Sequence, residues 1–354
     1  MIQPRIFFSF PAKYRKVFRS RNKVYLSKEG EYLLNHNRSG LLLALKAMRL
    51  HAGSCVGMMA YNCHTVMNAI EDVGCKVKFI DVTKGLQLDL TDLRKKKDCL
   101  SAIIVSHLFG IANDIDAIRM ISPNVPVIED CAHAFGMKQC GNKGDFAVYS
   151  IGPGKFPSVG DGGILKVNNP EYRSEIDKLY SELHDYSVKK ERGLFVKLLL
   201  MHWLYKPCFY SIITLPLIKQ GNKKIASAKE LIMPEKMAKG IAAVYNSVLP
   251  NMSQLLERQQ ANSKYLMDYF NKEHSIRVVN NRPTESNCFM FPLYCDDPLL
   301  VKTNLFHKGI ESETHFRHCL VWAKEYGYKD GECPNTEDLV HHLLMVPTYK
   351  TLKL

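Results

Sequence analysis

Between residues 54 and 152 short apolar runs alternate with helical stretches, and this alternation constrains the fold more than any other feature of the chain. The runs are Cys55–Tyr61, Val77–Val82, Ala102–Ser106, Val125–Glu129 and Phe146–Ile151; the stretches between them include Thr65–Val73 and Asp114–Met120. Near-continuous apolar strands separated by helices predict an α/β class, a mostly parallel sheet sandwiched by helices on both faces. Such sheets bind ligands beyond the carboxyl ends of their strands. The residues just after each run are therefore where chemistry is expected.

From about Pro234 the texture changes. "PEKMAKGIAAVYNSVLPNMSQLLERQQANSKYLMDYF" reads as one or two long helices with a break near Pro250, followed by short strands such as Cys288–Tyr294. This predicts a large domain over residues 1–233 and a smaller C-terminal α+β domain over 234–354, a size division that suits 354 residues. The net charge of +13 predicts an anionic partner. With no zinc-finger spacing, RNP-like block or long basic run, nucleic acid is not expected, and a phosphorylated small molecule or an acidic membrane surface remains. The basic cluster Lys13, Arg15, Lys16, Arg19, Arg21 and Lys23 reads as a solvated face.

The eleven cysteines are scattered with no C-x-x-C pair, and Cys75, Cys131, Cys208 and Cys288 sit in apolar runs as small hydrophobes. They read as free thiols in a reducing, cytoplasmic setting, since the opening "RIFFSFPAKYRK" is too short and too quickly charged for a secretory signal. One segment departs from the pattern. Leu194–Ile218 is strongly apolar and aromatic, with only Lys197 and Lys206 charged, and Pro207 and Pro216 interrupt it. The favoured reading is a hairpin of two short helices packed on the large domain or at a subunit interface. The alternative is a patch resting on a membrane face, helped by Lys189, Lys190 and Arg192.

Three blocks carry the chemistry: Val127-Ile-Glu-Asp-Cys-Ala-His-Ala134, Ser150-Ile-Gly-Pro-Gly-Lys155 and Gly160-Asp-Gly-Gly163. They place an acid at a strand end, then a hydroxyl, then a lone lysine beside a glycine-rich turn. Those are the parts needed to hold pyridoxal phosphate, whose ring nitrogen takes a carboxylate, whose phosphate takes hydroxyl and backbone donors, and whose aldehyde takes an amine. Glu129 and Asp130 are neighbours on a strand and so point opposite ways. A helix N-cap is the ordinary reading for such an aspartate.

These blocks, with "FIDVTKGLQLDL" (79–90), "SHLFGIANDIDAI" (106–118) and "CPNTEDLVHHLLMVPTY" (333–349), resemble the DegT/DnrJ/EryC1/StrS family of sugar aminotransferases, from about Asn37 to the C-terminus. The resemblance implies the aspartate-aminotransferase fold type I and pyridoxal 5'-phosphate. It implies Lys155 as the Schiff-base lysine, five residues after Ser150 and five before Gly160, with Asp130 partnering the ring nitrogen. His133 falls against the cofactor ring or its 3-hydroxyl, and Ser150 at the phosphate. Where relatives show Ser-Gly-Thr this chain has His36-Asn37-Arg38, so Asn37 and Arg38 at a helix N-terminus are the expected phosphate contacts. His315 and Tyr61 are placed near the substrate, with His64 beside the cofactor.

Two departures are specific: Phe156 stands where relatives have asparagine, and Lys229-Glu230-Leu231 where they contribute an asparagine across a dimer. The implied activity moves an amino group, from glutamate, onto a nucleotide-linked keto sugar in surface-polysaccharide or related glycan synthesis, by a homodimer with a shared site. A dehydratase reading is disfavoured because Lys155 is present. A non-catalytic sensor or assembly protein on the same fold, or a membrane-surface-associated member of the family, is the remaining alternative. No metal site is expected.

Overall fold

The computed structural model describes residues 1–4, 29–221, 229–280 and 282–349; the basic cluster at 13–23 lies outside them. Its frame is a seven-stranded sheet in the order β1-β7-β6-β5-β4-β2-β3. The strands are β1 (Glu31–Leu34), β2 (Cys55–Met59), β3 (Lys76–Ile80), β4 (Leu100–Ser106), β5 (Val127–Asp130), β6 (Phe146–Ser150) and β7 (Gly163–Val167). β2, β3, β4, β5 and β6 pair parallel, while β7 runs antiparallel to both β6 and β1. All five expected strands are present with ends shifted by a residue or two. β1 and β7 complete the sheet at one edge.

Helices cover both faces, which explains why the strands read as unbroken apolar runs. Ala102 and Ile104 of β4 join one core with Leu41, Leu45, Ile128 and Val148, whereas Ile103 and Val105 join the opposite core with Ile80, Val127 and Leu339. On the first face lies α1 (Asn37–Ala47), whose Leu41, Leu42, Leu43 and Leu45 are all buried. α2 (His64–Glu71) packs beside it. On the second face α3 (Leu90–Lys96) and α4 (Ile115–Ile121) start on aspartate caps, Asp89 accepting from Thr91 N–H and Asp114 from Ala117 N–H.

α5 (Arg173–Ser181) follows β7, and α6 (Val188–Leu204) leads through a π-helical turn at Tyr210–Thr214 into α7 (Leu215–Gly221). The Pro250 break is present: α8 (Lys239–Val248) and α9 (Met252–Phe270) are separated by a 3-10 turn, Leu249–Asn251. α8 packs with Leu33, Ile151 and Ile164 of the large sheet. A second, antiparallel sheet, β10-β9-β8, comprises β8 (Ile276–Val278), β9 (Met290–Cys295) and β10 (Leu343–Pro347), under α9 and α10 (Pro298–His307). α11 (Cys319–Lys324) and α12 (Pro334–His342) join this part to the large sheet, and the buried Asp81 accepts from the N–H groups of Asn335 and Thr336 at 2.9 Å. All eleven cysteines are free thiols.

Candidate active site

Several strand ends converge on one cleft. Asn62 follows β2, Ser106 ends β4, Asp130 ends β5 and Ser150 ends β6. β2 lies between β3 and β4, so the winding of the sheet reverses between β2 and β4, where a crevice opens. Hydrogen bonds cross it in series. Asn62 Nδ2 donates to Ser106 Oγ at 2.8 Å, and Ser106 Oγ donates to Asp130 Oδ2 at 3.0 Å. Asp130 Oδ1 accepts from Ala132 N–H at 3.1 Å and from Asn37 Nδ2 at 3.4 Å. The carboxylate is thus fixed in orientation on the cleft floor.

Glu129 leaves the strand on the other side, as the pleat requires. Its carboxylate accepts from the N–H groups of Gly141, Lys143 and Gly144 and meets His107 Nε2 at 2.9 Å. Burial alone would raise its pKa, but these donors outweigh it and hold the group at about 2. His107 Nδ1 accepts from Asn113 N–H, so Nε2 is the protonated nitrogen that donates to Glu129. Cys131 Sγ lies near this pair, but the imidazole and carboxylate already satisfy each other.

Lys155 sits within the cleft with Nζ 2.7 Å from His133 Nε2. Phe109 N–H lies 3.4 Å from His133 Nδ1, on the far side of the ring from Lys155. Burial pulls the Lys155 pKa down, against Cys63 and Asp130, and burial with Lys155 and His315 holds His133 well below its ordinary value. The rings of Phe109, Phe289 and Phe316 surround His133 at 4.6–6.0 Å. Phe156 turns into the core with Tyr61, Phe109 and Phe289, so the residue after the lysine anchors the loop by packing.

At the other end of the cleft, His36 caps α1 with extended backbone, no side-chain cap bond and no acid in the first turn. Such a terminus offers N–H groups and the positive end of the helix dipole to an anion. Asn37 and Arg38, its first residues, line the cleft with Ser150. Gly163 permits the arrangement: a Cβ there would lie 2.3 Å from Asn37 N and from the His36 carbonyl carbon. Glu230, which would repel an anion, stands 3.6 Å from Arg38 Nη2, and Lys229 pairs with Glu71 at 2.6 Å.

The cleft measures about 340 Å³ and gathers Asn37, Arg38, Asp130, His133, Ser150 and Lys155. His315 stands beside it, its ring 5.8 Å from that of His133. Tyr61 is fully buried, and its hydroxyl donates to the His315 carbonyl. His64 opens α2 against Trp322, 4.7 Å between rings. Sequence reasoning passed over Asn62, Ser106 and Cys63. Ser106 carried a signal, as a hydroxyl ending an apolar strand. Cys63 lines the cleft and receives a 3.2 Å hydrogen bond from Thr65; burial would raise its pKa, but His64 and Thr65 outweigh burial and lower it. Leu194 and Lys197 of α6 also reach the cleft.

The donor set fits pyridoxal phosphate: a fixed carboxylate for a ring N–H, an amine whose pKa burial lowers for an aldehyde, and a helix N-terminus with Arg38 and a hydroxyl for a phosphate. The model for the DegT/DnrJ/EryC1/StrS aminotransferase family matches residues 34–354. The chain belongs to that family. It is a pyridoxal-phosphate-dependent aminotransferase by that membership.

An uncharacterized protein of Methanocaldococcus jannaschii is 24% identical over 356 residues, covering 95% of this chain and 84% of the relative. A UDP-4-amino-4,6-dideoxy-N-acetyl-beta-L-altrosamine transaminase of Campylobacter jejuni is 23% identical over 310 residues, covering 83% of this chain and 73% of the relative. The crystal structure of the aminotransferase TlmJ from Streptoalloteichus hindustanus matches with a TM-score of 0.76 at 18% identity, over 100% of this chain and 95% of that one. At that identity the likeness speaks for the fold, and the large, mostly parallel sheet with flanking helices is the fold of this aminotransferase family.

Proposed function

We propose that this family member transfers an amino group from an amino acid, L-glutamate, to the keto carbon of a nucleotide-linked keto deoxysugar in surface-polysaccharide or related glycan synthesis. The observation that carries the reading is the buried Lys155 amine, 2.7 Å from His133, in one cleft with the fixed Asp130 carboxylate. When bound, pyridoxal phosphate supplies an electron sink conjugated to the donor's amino nitrogen. Lys155 Nζ would hold the cofactor's aldehyde carbon and would serve as the base that takes the proton from the donor's Cα. Asp130, oriented by Ser106 and Asn37, keeps the ring nitrogen protonated. His133, beside Lys155 in the cleft, would lie against the ring. The α1 N-terminus, Arg38 and Ser150 take the phosphate.

His315 faces the incoming sugar, and Tyr61 acts through it by holding its backbone carbonyl. Arg38 and Lys197 supply positive charge at the cleft for the nucleotide's phosphates. A homodimer sharing its sites, as the resemblance implies, completes the assembly. The test is near-ultraviolet and visible absorbance with pyridoxal phosphate, before and after L-glutamate, for the native chain and Lys155→Ala. A band that needs Lys155, fades with glutamate and returns with a nucleotide-linked keto sugar supports the reading. A folded native chain that develops no such band overturns it.

A further inference from the structure

The hairpin formed by α6, the π-helical turn and α7 has two unlike faces. Its inner face is tied to the body of the protein. Leu198 packs with Ile151 and Val159, Tyr210 is buried with its hydroxyl on Glu311 at 2.7 Å, and Glu191 accepts from Gly240 N–H at 2.7 Å. Its outer face has no such partners among the described residues. Leu200 is 58% exposed, Trp203 55%, Phe209 41%, Ile212 76% and Leu217 62%. Scattered apolar residues on a surface need no explanation, but this contiguous set on one hairpin does.

We propose that this face docks on an anionic lipid surface, with the hairpin lying in the headgroup plane. Charge decides between lipid and a second copy of the chain. From Val188 to Ile218 the acid is Glu191, and it points inward to the α8 N-terminus. The cations are Lys189, Lys190, Arg192, Lys197 and Lys206; Lys190 pairs with Glu235, and Lys206 Nζ sits 3.7 Å over the Trp203 ring. A two-fold contact of this face with itself would set a patch bearing Lys189 and Arg192 and no outward acid against the same patch of a second copy, a like-charge juxtaposition. An anionic bilayer offers the opposite charge beside an apolar interior, and a tryptophan over a lysine suits its interface. No helix among the described residues is long and apolar enough to cross a membrane, and the break at Tyr210–Thr214 divides the hairpin, so it lies on the surface. Because Leu194 and Lys197 of the same helix line the cleft, docking sets the cleft beside the headgroups.

The experiment uses the full chain with sucrose-loaded vesicles, either phosphatidylcholine alone or with three parts in ten phosphatidylglycerol, and needs no turnover. The chain has two tryptophans, so Trp322→Phe leaves Trp203 as the reporter. The expected result is at least tenfold more protein pelleting with anionic vesicles, with a blue shift of Trp203 emission. Ile212→Asp with Leu217→Asp should abolish both effects and leave the absorbance response to L-glutamate unchanged. Those positions are exposed, and the retained absorbance response reports that the variant is folded. Equal pelleting with both vesicle types, pelleting with neither, or a dimer that the Asp variant converts to monomer by light scattering overturns the proposal. None of these outcomes touches the aminotransferase reading.

Discussion

His133 Nε2 and Lys155 Nζ share a 2.7 Å hydrogen bond, and Phe109 N–H lies 3.4 Å from the other ring nitrogen, His133 Nδ1. Burial, then Lys155 and His315, hold the His133 pKa well below its ordinary 6.5. Below about 6.5 the unfolded chain therefore binds a proton that the folded chain refuses, and stability is lost as pH falls through that value. His133→Gln removes this contribution. The expected outcome is that the fall in Tm between pH 7 and pH 5, measured without cofactor, shrinks by about 2 °C.

Glu129 works in the opposite sense. Its pKa of about 2 in the fold, against 4.5 as the ordinary value, gives stability that is fully present above 4.5 and lost as pH falls through about 2. Glu129→Gln replaces an acceptor of three backbone N–H groups by an amide whose NH₂ faces donors. Urea denaturation at pH 7 should show a loss of about 3 kcal/mol, and the difference from the native chain should narrow at pH 3.

Ser106 is the relay that turns the Asp130 carboxylate. Ser106→Ala leaves Asn62 Nδ2 without its acceptor and Asp130 Oδ2 without its donor. Titration with pyridoxal phosphate should show about tenfold weaker binding, the equivalent of ~1.4 kcal/mol. An unchanged affinity would mean that the relay does not orient the carboxylate.

Two glycines make a paired test. Gly163→Ala drives a Cβ to 2.3 Å from the backbone at His36 and Asn37, so α1 must shift; a loss of about 3 kcal/mol or more is expected, with impaired phosphate binding. Gly193 lies within α6 with nothing within 4 Å of an added Cβ. Gly193→Ala should stabilise by about 0.5–1 kcal/mol, read from the same denaturation curves.

The sheet was legible because β4 and β5 are covered on both faces, which removes polar alternation and leaves runs such as Ala102–Ser106. β7 was harder to see: it opens on Gly163, inside a stretch that reads as a turn, and only its antiparallel pairing with β6 and β1 makes it a strand. The cleft residues Asp130, Ser150 and Lys155 stood out because strand ends and a glycine-rich turn lie close in sequence. Asn62 and Phe289 did not, since their contacts span 44 and more than 100 residues.

The sequence by itself determined the strand–helix alternation, the identity of the amine and the acids, and the family to which they belong, all of which are local properties of composition and spacing. Tertiary structure decided what those groups are. It sent Glu129 to His107 and Asp130 to Ser106, and set Lys155 against His133. It also placed Arg38 against Glu230 and left the hairpin's apolar face outward. The reason is physical: protonation, hydrogen-bond polarity and exposure depend on which groups are packed together, and packing joins residues that sequence keeps far apart.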